Sequence, residues 1–424
     1  MRRVLSLWRT SSPLSSICLL SAVEIVVLSS RGLPWRGEWA WTMDWAAGAT
    51  VLTGPVVAGL AAYEAGRWRS ALVGVVMPSA RRRILGSLSP AIGPLLSGTL
   101  VYLLGTLTVL LITAVSSPTD NFEPQILLLG FLKLVAYVAL GWAIGGRLQP
   151  IIGAVSALII GYGLVLLASG DGAFSFLRIG GSTGPIAGMD VNNYAVLARS
   201  LLLVALAIAC AVAVASQYSN TKSLRPIVVA LAMTLAVGGA TIVHRQGAEP
   251  YRLASSQDRI CRGTTVQVCM LVGNTTQLDS WASQIERSVT ILSSSGLQFP
   301  SKYEEPAPTA AGRNPSVGEL FFDPGTVNTA PPNRVMIVET LSTPATCPGF
   351  AAEIPPTGAM NARYWLSHWM YHRIWPNMGG GEVDPTVVAW MTQTPTSQQD
   401  SWVRATLMNL KSCALEKLAI PVAS

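Results

Sequence analysis

Seven predominantly apolar stretches fill the first 245 residues of this 424-residue chain, at about 14–30, 45–63, 91–115, 125–144, 151–169, 195–215 and 226–243. A helix needs roughly 20 mostly apolar residues to cross the hydrocarbon core of a bilayer. The spacing therefore predicts a polytopic α-helical membrane domain of about seven spans over residues 1–245. The first stretch is rich in Ser and interrupted by Glu24. It follows a basic segment, as a signal peptide would. No A-x-A-like cleavage site follows it, so it reads as an uncleaved span.

Composition supports this reading. Half the chain is hydrophobic and only 12% is charged, against about 25% in ordinary soluble domains. A single soluble domain, a disordered chain and a small disulfide scaffold are excluded. Residues 1–245 carry 17 basic and 8 acidic residues, or +9, which leaves 12 and 14, or −2, for residues 246–424. The basic half is also the apolar half. No Lys/Arg run is interleaved with aromatics, so the excess points to a membrane and not to nucleic acid.

Orientation follows from the basic residues. With the N-terminus in the cytoplasm, Arg2, Arg3, Arg9, Arg67, Arg69, Arg81, Arg82, Arg83, Arg147, Lys222 and Arg225 fall inside. Arg31, Arg36, Arg178 and Arg199 fall outside or near the outer ends of spans. That bias obeys the positive-inside rule, and Trp35, Trp39, Trp41 and Trp45 then gather at the outer interface. Seven crossings place residues 246–424 outside a plasma membrane. Two charges remain within spans, Glu24 and Lys133. They lie ~9 and ~12 Å from the outer ends of the first and fourth spans. Their similar depths allow an ion pair. Snorkelling to the interface and a place on a substrate pathway are the other readings.

The longest inside connection, residues 64–90, is basic and carries Trp68 beside an apolar run. It fits a short amphipathic helix against anionic lipid, or a docking element for a cytoplasmic partner. With its leading "AAYEAGRWRS", this loop and the spans around it resemble permease subunits of the type-two exporter class of ABC transporters, in particular actinobacterial members. The resemblance covers about the first 245 residues. It implies that the loop contacts an ATPase subunit, with Glu64, Arg67, Arg69, Arg81, Arg82 and Arg83 as the coupling residues. It also implies a homo- or hetero-oligomer of membrane subunits. A seventh span and a large outside domain depart from that family. No G-x-x-x-x-G-K-[ST] loop occurs, so ATP would enter only through a partner chain, and the protein needs no cofactor of its own.

Residues 246–424 are enough for one mixed α+β extracytoplasmic domain. Helical spacing of Leu278, Trp281, Ile285, Val289 and Leu292 marks a first helix. Residues 300–332 read as loop, 334–340 as a buried strand, and 359–375 and 397–418 as helices. Asn274-Thr275-Thr276 matches a glycosylation sequon, which would carry little meaning if the chain is bacterial, as the resemblance implies. Cys261, Cys269, Cys347 and Cys413 suggest two disulfides with three possible connectivities. The alternating "ICRGTTVQVC" favours a local Cys261–Cys269 bridge, which would leave Cys347–Cys413. Cys18 and Cys210 lie within spans and read as small apolar residues.

His368 and His372 share one helix face at the spacing a metal requires. The string "HWMYHRIWPN" resembles the "HExxHxWxGN" zinc helix of gluzincin aminopeptidases, and "WMTQ" at 390–393 resembles that family's "WxxE". Trp369 stands where the family has its general base, and Gln393 where it has its anionic ligand. The resemblance thus implies an inactive, peptidase-derived domain, since no group activates water; a chance match in an aromatic-rich helix packed into the core and a working metal site are the other readings. No G-x-S-x-G elbow is present, and only three His occur in the chain. The sequence favours a non-enzymatic ABC permease subunit whose outside domain gates, scaffolds or captures cargo. A membrane-anchored gluzincin-like peptidase or pseudopeptidase acting alone is the competing reading.

Overall fold

A computed structural model describes residues 13–30, 35–72, 80–116, 120–169, 186–218, 225–246, 250–254, 258–306, 316–321, 330–342, 357–376 and 384–421. The chain divides into two compact units, Met1–Ala254 and Ser255–Ser424.

Among the described residues the first unit holds seven helices: α1 (Pro13–Ser29), α2 (Trp39–Leu72), α3 (Ala80–Val115), α4 (Gln125–Gly145), α5 (Pro150–Ser169), α6 (Asn193–Tyr218) and α7 (Arg225–Gln246). Segments of α2 to α6 are long and apolar enough to cross a membrane. The apolar parts of α1 and α7, Leu14–Ser29 and Val228–Val243, are shorter. Of the seven expected spans, five therefore have full spanning length among the described residues.

The central helix is α2, packed against α3, α4 and α5. Small residues permit its closest approach. Gly141 and Gly145 on α4 lie over Ala58 and Ala62 on α2, where a methyl group would run into the Ala58 and Ala62 carbonyls. Lipid tails give helices no hydrophobic reason to associate, so this close van der Waals fit carries the packing. Leu103, Leu107 and Leu111 on α3 and Ile151, Val155 and Ile159 on α5 are exposed, as a lipid-facing surface requires.

Two short strands, β1 (Met189–Val191) and β2 (Tyr251–Leu253), pair antiparallel with Met189 opposite Leu253 and Val191 opposite Tyr251. This pairing holds residues 251–254 to the helical unit, so that unit runs past the position 245 expected from hydropathy.

The second unit is α+β. Strands β3 (Arg259–Arg262), β4 (Gln267–Leu271), β5 (Lys302–Glu304) and β6 (Gly318–Glu319) form one sheet in that order. The β3–β4 hairpin is antiparallel and the remaining pairs are parallel. Gly263, at φ +103°, makes the hairpin turn, a conformation open to Gly without a Cβ penalty. Helix α8 (Leu278–Ser293) connects β4 to β5 through the short 3₁₀ turn Val272–Gln277. All five residues of its expected apolar face are buried. Helices α9 (Arg334–Ser342), α10 (Thr357–Ile374), α11 (Pro385–Gln393) and α12 (Thr396–Lys411) follow among the described residues. Its core joins Trp281 and Ile285 to Leu366, Trp369, Trp390 and Val403.

Two expectations need correction. Residues 334–340 form helix α9 and not a strand. Asn333 caps it, its side-chain oxygen accepting the Met336 N–H at 2.9 Å, and this local bond overrides the β-branched composition. Burial of Ile337, Val338 and Leu341 follows the helical period. Within residues 300–332, read as loop, β5 and β6 contribute to the sheet.

Candidate functional site

One end of the helical unit is rich in arginine. Arg69 donates to the Arg147 carbonyl at 2.6 Å and more weakly to that of Gly146 at 3.4 Å. Arg147 donates to the Ala143 carbonyl at 2.8 Å. Both cations thus satisfy carbonyls at the C-terminal end of α4, where helix ends leave acceptors unpaired and partial negative charge accumulates. Arg67 is 3.4 Å from Glu64 and lies over the Tyr63 ring at 5.7 Å. Of the six expected coupling residues, Glu64 and Arg67 pair with each other along α2, Arg67 staying about half exposed, and Arg69 reaches across to the end of α4. Arg81, Arg82 and Arg83 fall on the first turn of α3. Their side chains and residues 73–79 lie outside the described residues.

The opposite end holds buried charge. Glu24 and Lys133 are both buried, at 4% and 7% exposure, so neither snorkels. They also form no ion pair. Glu24 lies against Thr53 and Gly105, while the charged neighbours of Lys133 are Asp44 and Arg199. Asp44, on the first turns of α2, accepts the Tyr251 hydroxyl at 2.5 Å. Burial and the Asp44 carboxylate hold the Tyr251 phenol far above its usual range, so it remains a donor. Glu38 accepts the Ile186 N–H at 2.7 Å. Asp120 accepts the Trp39 and Ala40 N–H groups at 2.8 Å each, closing the N-terminus of α2. Burial nonetheless pushes the Asp120 carboxyl upward. Asp44 and Tyr251 were missed because the second apolar stretch was read as starting at Trp45 and the last as ending before β2.

In the second unit, Cys261 and Cys269 face each other across the hairpin and are bridged. Cys413 is also disulfide-bonded, while Cys347 lies outside the described residues. Asn274, the sequon residue, is buried, and its amide donates to Glu305 at 2.5 Å.

A cavity of about 780 Å³ opens among α8, α9 and α10, lined by Gln284, Arg334, Glu339, Tyr364, His368 and Tyr371 among others. His368 accepts the Asp384 N–H at Nδ1, at 3.4 Å, and its ring lies tilted against Tyr364, the centroids 4.3 Å apart. Burial lowers its pKa more than the nearby Asp384 carboxylate raises it. Trp369 turns to the core instead, where its indole donates to Gln399 at 3.0 Å. Gln393 ends α11 as an exposed residue. His372 follows His368 by one turn. Among the described residues no three His, Cys, Asp or Glu side chains gather as a metal site.

Among the described residues, five helices are long and apolar enough to cross a membrane, and a second compact unit is α+β. Compared with known proteins, the chain matches no family model, no curated protein and no solved structure.

Proposed function

We propose that the protein is a permease-type subunit of an ABC exporter, working with a separate ATPase chain. The observation that carries this reading is the length of α2 and α3. At 34 and 36 residues, they measure ~51 and ~54 Å, against a hydrocarbon core of ~30 Å. Both overrun at the arginine-rich end, as a helical hairpin needs to if it is to meet a cytoplasmic partner. In this reading α1 and α7 also span, with local bilayer thinning around their short apolar runs. The N-terminus is then cytoplasmic, and the second unit lies outside a bacterial plasma membrane, where it gates, scaffolds or captures cargo. The docking contact is assigned to Arg81, Arg82 and Arg83, because Arg69 is tied to the end of α4.

The test is purification of the tagged chain from its native membrane in mild detergent. A nucleotide-hydrolysing subunit should co-purify. Arg81, Arg82 and Arg83 changed together to Lys should keep insertion but lose that subunit, since Lys cannot make bidentate carboxylate contacts. Recovery of the native chain free of any ATP-hydrolysing partner would sink the reading.

A further inference from the structure

The helical unit buries one carboxyl group away from any countercharge among the described residues. Glu24, on α1, is 4% exposed, and α1 packs against α2 and α3. Gly105 on α3 makes room for it: a Cβ there would lie 3.0 Å from both Cγ and Oε1 of Glu24. The group facing it from α2 is Thr53, and from α3 it is Tyr102. Among the described residues no Lys, Arg or His faces it. A carboxylate held in hydrocarbon has to be paired, wetted or neutralised.

The neighbouring hydroxyls do not meet a negative charge. Thr53 donates to the Ala49 carbonyl at 3.0 Å, and Tyr102 donates to the Leu127 carbonyl at 2.8 Å. A hydroxyl has a single proton, so each of these has only lone pairs left to offer Glu24. Lone pairs disfavour a carboxylate and suit a carboxylic acid, which has a proton of its own to donate.

Asp44 supplies the contrast within the same unit. It is 2% exposed, yet it accepts the Tyr251 hydroxyl at 2.5 Å and has Lys133 as a charged neighbour. Donors and positive charge there hold the ionised form. Two carboxyls equally withdrawn from water thus have opposite surroundings.

We propose that Glu24 is a membrane-embedded proton-binding site, a neutral carboxylic acid whose proton exchanges with water. The inference requires neither an ATPase partner nor cargo capture by the second unit.

Carbodiimide modification of the full-length protein in nanodiscs tests it. Dicyclohexylcarbodiimide enters hydrocarbon and reacts with the protonated acid, whose proton passes to a carbodiimide nitrogen while the carboxyl oxygen adds to the central carbon. At about pH 7, where an ordinary glutamate is ionised, peptide mapping should find Glu24 modified about tenfold or more faster than Asp44. Raising the pH to about 9 should slow Glu24 several-fold as the acid ionises. Replacing choline chloride with sodium chloride at constant pH should change nothing. Protection by sodium would assign the carboxylate to a metal cation and overturn the proton. Glu24→Gln should insert normally and lose both the label and the infrared carbonyl band of a protonated carboxyl. In the native protein that band should shift in deuterium oxide. Should the variant fail to fold, the ratio of Glu24 to Asp44 modification in the native protein still decides. Unmodified Glu24, equal modification of the two, or a band unmoved by deuterium oxide overturns the proposal.

Discussion

The Tyr251 hydroxyl lies 2.5 Å from Oδ1 of Asp44, across 207 residues of sequence. It joins the first turns of α2 to a strand that follows the last helix of the bundle. Asp44 is 2% exposed, so the phenol matters more than a surface hydrogen bond would. Tyr251→Phe should destabilise the helical unit by about 1–3 kcal/mol, the cost of removing a partner from a buried polar group. A thermal-stability assay by size exclusion in detergent reads this directly, and an unchanged apparent Tm would contradict it.

Helix α4 should tolerate no side chain at Gly141. A methyl there meets the backbone of Ala58 on α2, and rigid backbone yields less than a side chain does. Gly141→Ala should cost about 1–3 kcal/mol, as overpacking does. Gly163, with open space around its Cβ position, provides the control: Gly163→Ala should leave the same assay unmoved.

Glu305 should weaken the second unit as pH rises through neutrality. Burial lifts the Glu305 carboxyl from 4.5 to about 7, against the pull of the Leu271 N–H and Asn274. The folded state then holds that proton more tightly than the unfolded chain does. Stability is therefore complete below about 4.5 and falls as pH climbs to about 7. Glu286, held down to about 2 by Thr264 and Thr265, acts in the other direction and only at lower pH. His368, whose pKa burial lowers, opposes this in the same window, so the variant is the readout: Glu305→Gln should remove the tryptophan-monitored loss of Tm that Glu305 causes between about pH 5.5 and about 7.5.

Cys261 and Cys269 should resist alkylation in unreduced protein. Replacing both with Ser should destabilise the second unit by about 2–3 kcal/mol, as expected for so short a closed loop. Using the double variant avoids reducing the separate disulfide at Cys413. Free thiols at both hairpin positions in protein secreted to the outer face would argue against an oxidised domain.

The proposed orientation makes a labelling prediction. Arg287 and Gln149 are both exposed, one on α8 and the other in the turn after α4. An impermeant thiol reagent on intact cells should label Arg287→Cys above the native background and leave Gln149→Cys unlabelled. The opposite pattern would invert the bundle.

The fold was most legible where one period dominated. The apolar face of α8 could be read residue by residue, and the alternation of 260–269 foretold a bridged hairpin. Helix α9 was misread because Val335, Ile337 and Val338 suit a strand, while the deciding signal was the cap from Asn333. The buried charges were harder. Depth along a span aligned Glu24 with Lys133, but depth says nothing about which way around the helix each residue faces. In three dimensions Lys133 faces Asp44 and Arg199. The cavity was only half visible: His368 stood out for metal spacing, whereas Arg334 lay within the supposed strand.

The distance along the chain between Asp44 and Tyr251 also sets a schedule for biosynthesis. Asp44 is made 207 residues before its partner, an interval of roughly 10–40 s at ~5–20 residues per second. During that time a carboxylate destined for burial must stay hydrated or be shielded by something other than this protein. A nascent chain stalled after α7 but short of β2 would carry α1 to α7 and still lack the latch between Tyr251 and Asp44. Completion of this contact therefore waits on three residues of strand and not on α7.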